Sequence, residues 1–172
     1  MVQFYRPVFL TQTTQIKTWV DPLEYVKEPL SLMETASSGG RPFVGAIELL
    51  LTDKGLGPQR LVWAGDYYDA EANHNANLYT LCLQAPKLYP EEADSSAYNY
   101  LINYTKRQFV SKDRTEKYTN LQPLPILTAE GNGYGTGDYP DEHALVGCWA
   151  RDEIGVSKKL PAGFIEIIFN LA

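Results

Sequence analysis

The stretch that most narrows the fold is "AYNYLINYTKRQFVSK", residues 97–112. Tyr98, Tyr100, Ile102 and Tyr104 alternate with Asn99 and Asn103, which is the two-residue period of a strand. A helical template also fits Tyr98, Leu101, Ile102 and Phe109, but the aromatic and β-branched weight favours strands. The spacing therefore predicts a hairpin turning near Thr105–Arg107. A hairpin needs further strands to cover it, and the chain offers them. "PFVGAIELLLTD" and "QRLVWAGDYY" read as successive strands around a Lys54–Pro58 turn containing two glycines. "LQPLPILT" reads as extended, because each proline disfavours helix in the residue before it. "ALVGCWARDEIGV" and "GFIEIIFNL" supply the last candidates, and residues 1–20, rich in Thr, Val and aromatic residues, predict one or two more. "NLYTLCLQ" fits a strand or a helix turn equally well.

Helix signals cluster near the N-terminus. In "DPLEYVKEP", Asp21 reads as an N-cap with Pro22 at the first helical position and Glu24 three residues past the cap. Pro29 reads as the start of a second short helix through "LSLMETA", ended by the glycines of "SSGG". The expected fold class is thus α+β and β-rich, an antiparallel or mixed sheet with a short N-terminal helical segment. No linker composition interrupts the chain, so residues 1–172 are expected to form a single globular domain.

Composition removes several function classes. Hydrophobic residues at 44% and charged residues at 21% suggest neither disorder nor a membrane span. A formal charge of −6 opposes non-specific nucleic-acid binding, which needs a basic surface. The one basic cluster, Lys106, Arg107, Lys112, Arg114 and Lys117, reads as a solvated hairpin tip. The start of the chain lacks a basic region, an apolar core and a cleavage site, so a cytoplasmic location, in a bacterial host, is expected. Cys82 and Cys148 sit in apolar surroundings and read as buried free thiols.

Two segments echo each other. "GDYYDAEANH" (65–74) and "GDYPDEH" (137–143) both open Gly-Asp-Tyr, place a second Asp three residues on, and run through Glu to the chain's two histidines. "LVWAGD" (61–66) and "LVGCWARD" (145–152) extend the echo, as though two strands ended alike. An imperfect duplication and convergent turn chemistry both account for it. The pieces "LSLMETAS", "LVWAGDYYD", "YLINYTKRQFV", "PLPILTAEGNGYGTGDY" and "VGCWARDEI" resemble, in this order over about residues 30–165, a widespread family of uncharacterised proteins of bacteria and their phages. The resemblance implies a phage or mobile-element origin and carries over no catalytic residues. The family's glycine-rich loop carries an arginine where Tyr134 and Thr136 stand here, so any role of that arginine is not transferred.

The candidate site follows from the echo. Gly131, Gly133, Gly135 and Gly137 alternate, matching neither dinucleotide-binding nor P-loop spacing, yet such a run exposes backbone N–H groups to an anion or allows a close approach. Tyr67, Tyr68, Tyr134 and Tyr139 flank the two acidic turns, and tyrosine beside Gly and Asp is the composition of a recognition surface. The expected ligand-binding set is Asp66, Tyr67, Tyr68, Gly131, Asn132, Gly133, Tyr134, Gly135, Gly137, Asp138 and Tyr139. Asp66, His74, Asp138 and His143 form a second set able to hold a divalent metal, the only cofactor the pattern admits, although no named metal motif is present. No serine or cysteine motif supports nucleophilic catalysis. The leading expectation is a non-enzymatic, phage-linked binding protein that uses 65–74 and 131–143 as one surface. Its partner would be a host or phage protein or a small anionic ligand, with no nucleic acid or membrane involved, and a homo-oligomer is compatible with this. The alternative is a metal-dependent hydrolase of small phosphorylated or ester substrates.

Overall fold

The computed structural model describes residues 2–132 and 144–171. Among them, nine strands form one mixed sheet: β1 (Tyr5–Leu10), β2 (Ile16–Val20), β3 (Gln59–Gly65), β4 (Lys87–Leu88), β5 (Tyr100–Asn103), β6 (Gln108–Ser111), β7 (Ala129–Glu130), β8 (Glu153–Ser157) and β9 (Ile165–Glu166). Their spatial order is β4-β2-β1-β3-β8-β5-β6-β9, with β7 paired to β3 off this path. The architecture is β-rich α+β, as the alternating patterns indicate. The hairpin β5–β6 falls where Tyr98–Tyr104 places it, with Leu101 opposite Val110 and Ile102 opposite Phe109.

β1 and β3 lie at the centre and are buried on both faces. Phe9, Leu61 and Trp63 point to one core, shared with Phe43, Ile47, Leu101 and Trp149. Val8, Leu10, Val62 and Ala64 point to the other, with Trp19, Leu78 and Cys82. The first core is roofed by α1 (Leu32–Ala36), α2 (Arg41–Leu50) and α5 (Pro123–Leu127). The second is covered by α3 (Leu78–Leu81) and the 3-10 turn Cys82–Gln84, so "NLYTLCLQ" resolves as helix. A fourth short helix, α4 (Lys112–Thr115), follows β6.

Two segments differ from the sequence reading. "PFVGAIELLLTD" is helix α2 rather than a strand. Six successive residues, Phe43–Glu48, are buried, but Arg41, Gly45 and Glu48 recur at helical spacing on one face, the period that marks this segment as helix. "LQPLPILT" contains α5 rather than an extended chain. Pro123 and Pro125 both fall in its first turn, where backbone donors have no intrahelical partner and proline costs little. "ALVGCWARDEIGV" is a strand only from Glu153; before it the chain turns, with Gly147 and Arg151 at positive φ. The helix read from Pro29 begins at Leu32, where Ser31 and Glu34 form a capping box, and "SSGG" passes through a 3-10 turn directly into α2. Asp21 caps the turn Pro22–Glu24 as expected, accepting from Leu23 N–H at 3.0 Å.

The basic cluster is a solvated tip at Lys106 and Arg107, exposed at the β5–β6 turn, and Arg114 and Lys117 are exposed too, while Lys112 is drawn inward. Lys106 pairs with Asp152, Arg114 with Glu166 and Lys112 with the buried Glu48, so three of its five charges are matched by acids from elsewhere in the fold. Cys82 and Cys148 are free, and burial pushes the Cys82 thiol up to about 11, which makes it a poor thiolate. No helix among the described residues is long and apolar enough to cross a membrane.

Candidate functional site

β3 uses one edge twice. Gln59 and Arg60 pair antiparallel with β8, while Trp63 and Ala64 pair in parallel with Ala129 and Glu130 of β7. That register sets Gly65, the head of the first echo segment, beside Gly131, the head of the glycine-rich one. The roots of the two segments therefore meet.

They meet without room for a side chain. A Cβ on Gly65 would lie 2.6 Å from the Glu130 carbonyl oxygen, and one on Gly131 would lie 2.3 Å from Tyr5 Oη. Gln3, fully buried, is wedged between the strands: its Nε2 donates to Asn132 Oδ1 at 2.8 Å and its Oε1 accepts from Asn132 N–H at 3.4 Å. Close backbone approach is thus the reason for glycine at 65, and the buried Tyr5 and Gln3 side chains fill the space beside Gly131. Gly131 and Asn132, both in the expected ligand-binding set, stand where the two segments join. Gly133, Tyr134, Gly135, Gly137, Asp138, Tyr139 and His143 lie outside the described residues.

Asp66 is likewise turned inward. Its N–H donates to the Phe4 carbonyl at 2.9 Å, and its Oδ1 accepts from Phe4 N–H at 3.0 Å, extending β3 past its end. Burial raises its pKa above the ordinary aspartate value, against the opposing pull of those backbone donors. A carboxyl with a raised folded pKa binds its proton more readily folded than unfolded. Its contribution to stability therefore falls as pH rises from the unfolded pKa through the folded one. Asp66→Asn keeps the acceptor for Phe4, so the expected result is a variant that gains stability relative to wild type as pH rises through that window. Urea titrations of both proteins across the acidic range check this; an unchanging difference would contradict it.

Tyr67 is half-buried and Tyr68 is exposed. The loop behind them is tied down by Asn77, whose Nδ2 donates to the carbonyls of Asp66 (3.0 Å) and Tyr68 (3.1 Å) while its Oδ1 caps α3 at Thr80 N–H. Asn77 was not among the expected residues, and its position just before a helix turn is the signal that marks it.

The residue that organises the site is Arg151. Its Nη1 and Nη2 donate to the two carboxylate oxygens of Glu71 at 2.7 and 2.8 Å, and its Nε and Nη2 donate to those of Glu130 at 2.6 and 2.8 Å. Both carboxylates are gripped as forks. The hydrogen bonds it donates to Glu71 first, then to Glu130, hold the guanidinium firmly charged. One side chain thereby bolts the 65–74 loop to the root of the glycine-rich segment. Its sequence signal was the lone cation in "LVGCWARD", set against acidic echo segments.

Beside this bolt runs a groove of about 830 Å³, floored by Ile16, Leu78 and Leu81 and edged by Glu71, His74 and Arg151. His74 is exposed, its N–H held by the Glu71 carbonyl at 3.0 Å. Among the described residues, no group of three His, Cys, Asp or Glu side chains converges to hold a metal ion. Of the expected metal set, Asp66 spends Oδ1 on the backbone and His74 faces the groove, while Asp138 and His143 lie outside the described residues. Comparison with known proteins gives no matching family model and no significant match among curated proteins or solved structures.

Proposed function

We propose that this chain is a binding protein that recognises a protein partner through the 65–74 and 131–143 segments and the groove beside them. The observation that carries this reading is the double fork of Arg151, which makes one preorganised unit of the first loop and the root of the second. A rigid loop presents Tyr68 and His74 at low entropic cost, next to an apolar floor with a polar rim.

Charge supports a protein partner over a small anion. Glu71 and Glu130 already fill both forks of Arg151, and Asp66 and Asp69 add negative charge to the same loop, so the segment repels anions and suits Lys or Arg on the partner. Placing a photo-crosslinking phenylalanine at position 68 tests this. Crosslinks to one protein from position 68, lost when His74→Ala and Leu81→Ala are added, are the expected outcome. The same probe at Tyr118, exposed elsewhere, serves as control. Equal yields from 68 and 118 would sink the assignment.

A further inference from the structure

A second constellation lies away from the echo segments, in a cleft of about 870 Å³ between the start of α2, the 92–96 loop and the 119–123 segment. Glu48 of α2, 2% exposed, sits in its wall. Ser95 Oγ donates to Glu48 Oε2 at 2.5 Å. Lys112 Nζ donates to the same Oε2 at 2.6 Å, to the Ser95 carbonyl at 3.0 Å and to Ser95 Oγ at 3.3 Å. The serine oxygen is thus held between a carboxylate that can take its proton and an ammonium that can stabilise the charge left behind.

The loop that carries Ser95 is fixed in place. A Cβ on Gly45 would lie 2.0 Å from the Ala93 carbonyl oxygen, so the loop rests directly on the helix. The Ser95 carbonyl also accepts from Tyr98 N–H at 2.9 Å, and Asp94 Oδ1 accepts from Ser96 N–H at 2.9 Å. Nucleophile, base and orienting cation therefore have fixed mutual geometry and open onto a cleft of small-molecule size.

We propose that Ser95 is the nucleophile of an acyl-transfer site that hydrolyses small esters. Ser95 Oγ attacks the ester carbonyl carbon while its proton passes to Glu48 Oε2. The tetrahedral adduct expels the alkoxide, which takes that proton and leaves as the alcohol. Water then attacks the acyl-serine and gives a proton to Glu48, the carboxylic acid departs, and Ser95 recovers its hydrogen. Lys112 offsets the charge developing on Oγ, and Arg41, which lines the same cleft, is the cation that would face the carbonyl oxygen. Glu92, Asp94 and Glu116 on the walls select a neutral or cationic substrate over an anionic one.

The proposal is independent of the binding reading, since it concerns other residues and another face. The test is to treat the full chain with diisopropyl fluorophosphate and locate the adduct by peptide mass mapping. One adduct on Ser95 is expected, formed at least about 100-fold more slowly in Glu48→Gln, the lower end of what a general base contributes. No adduct, an adduct on another residue, or an unchanged rate in a folded Glu48→Gln protein would overturn the proposal and leave the cluster as a pin for the 92–96 loop. Should Glu48→Gln fail to fold, the site modified in the wild-type chain decides alone.

Discussion

Arg151→Ala is expected to lower the unfolding free energy by about 2–4 kcal/mol. Removing one partner of a fully buried ion pair costs about 3–5 kcal/mol, because the remaining charge is left uncompensated. Exposed pairs contribute only about 0–1 kcal/mol. The side chains of Arg151, Glu71 and Glu130 retain 28%, 19% and 13% of their exposure, which places this triad between the limits, nearer the buried one. Two carboxylates would then sit together without their shared cation, so repulsion adds to lost attraction. For a chain of this size the loss corresponds to a fall in Tm on the order of 10 °C. Arg151→Lys should recover only part of it, since an ammonium cannot grip two carboxylates as forks.

A third variant separates backbone from side chain. Arg151 has φ +69°, a left-handed conformation that costs a non-glycine residue about 1–2 kcal/mol. Alanine keeps that strain and glycine relieves it, so Arg151→Gly should be more stable than Arg151→Ala by about 1 kcal/mol. Hydrogen exchange then reads the functional consequence. In both variants, amides of 66–77 and 129–132 should lose protection before those of β1 and β3. If they exchanged as in wild type, Arg151 would not be what joins the two segments.

What the sequence revealed depended on whether a local rule had a tertiary competitor. The alternation through Tyr98–Tyr104 needs only one neighbouring strand to be realised, and β5–β6 formed where it pointed. Asp21 likewise caps its turn with local atoms alone. α2 was misread because its apolar run drew attention from the helical recurrence of Arg41, Gly45 and Glu48, and α5 because the rule against helix before proline relaxes in a first turn. The echo of "LVWAGD" in "LVGCWARD" did not mark a second strand end, since 145–152 is a turn; the strand that Ala64 meets is the one ending at Glu130. The forks of Arg151 reach back 80 residues to Glu71 and 21 to Glu130. Ser95 stands 47 residues from Glu48 and 17 from Lys112. No spacing motif connects such groups, so only the fold could show them together.

The largest single effect is expected at Lys112. Lys112→Met should cost about 3–5 kcal/mol, because Glu48, 2% exposed, would lose the ammonium 2.6 Å away that compensates it. Met matches the length and apolar stem of lysine, so packing changes little and the loss reports the charge. Adding Glu48→Gln removes the uncompensated carboxyl group while Ser95 still finds an acceptor in the amide oxygen. The double variant should therefore be more stable than Lys112→Met alone by about 2 kcal/mol or more, a coupling of the size contacting groups show. Urea denaturation of wild type, the two single variants and the double variant closes the cycle. A double variant no more stable than Lys112→Met would mean that the lysine acts through its stem and not its charge, in which case Ser95 would lack the cation its proposed chemistry requires.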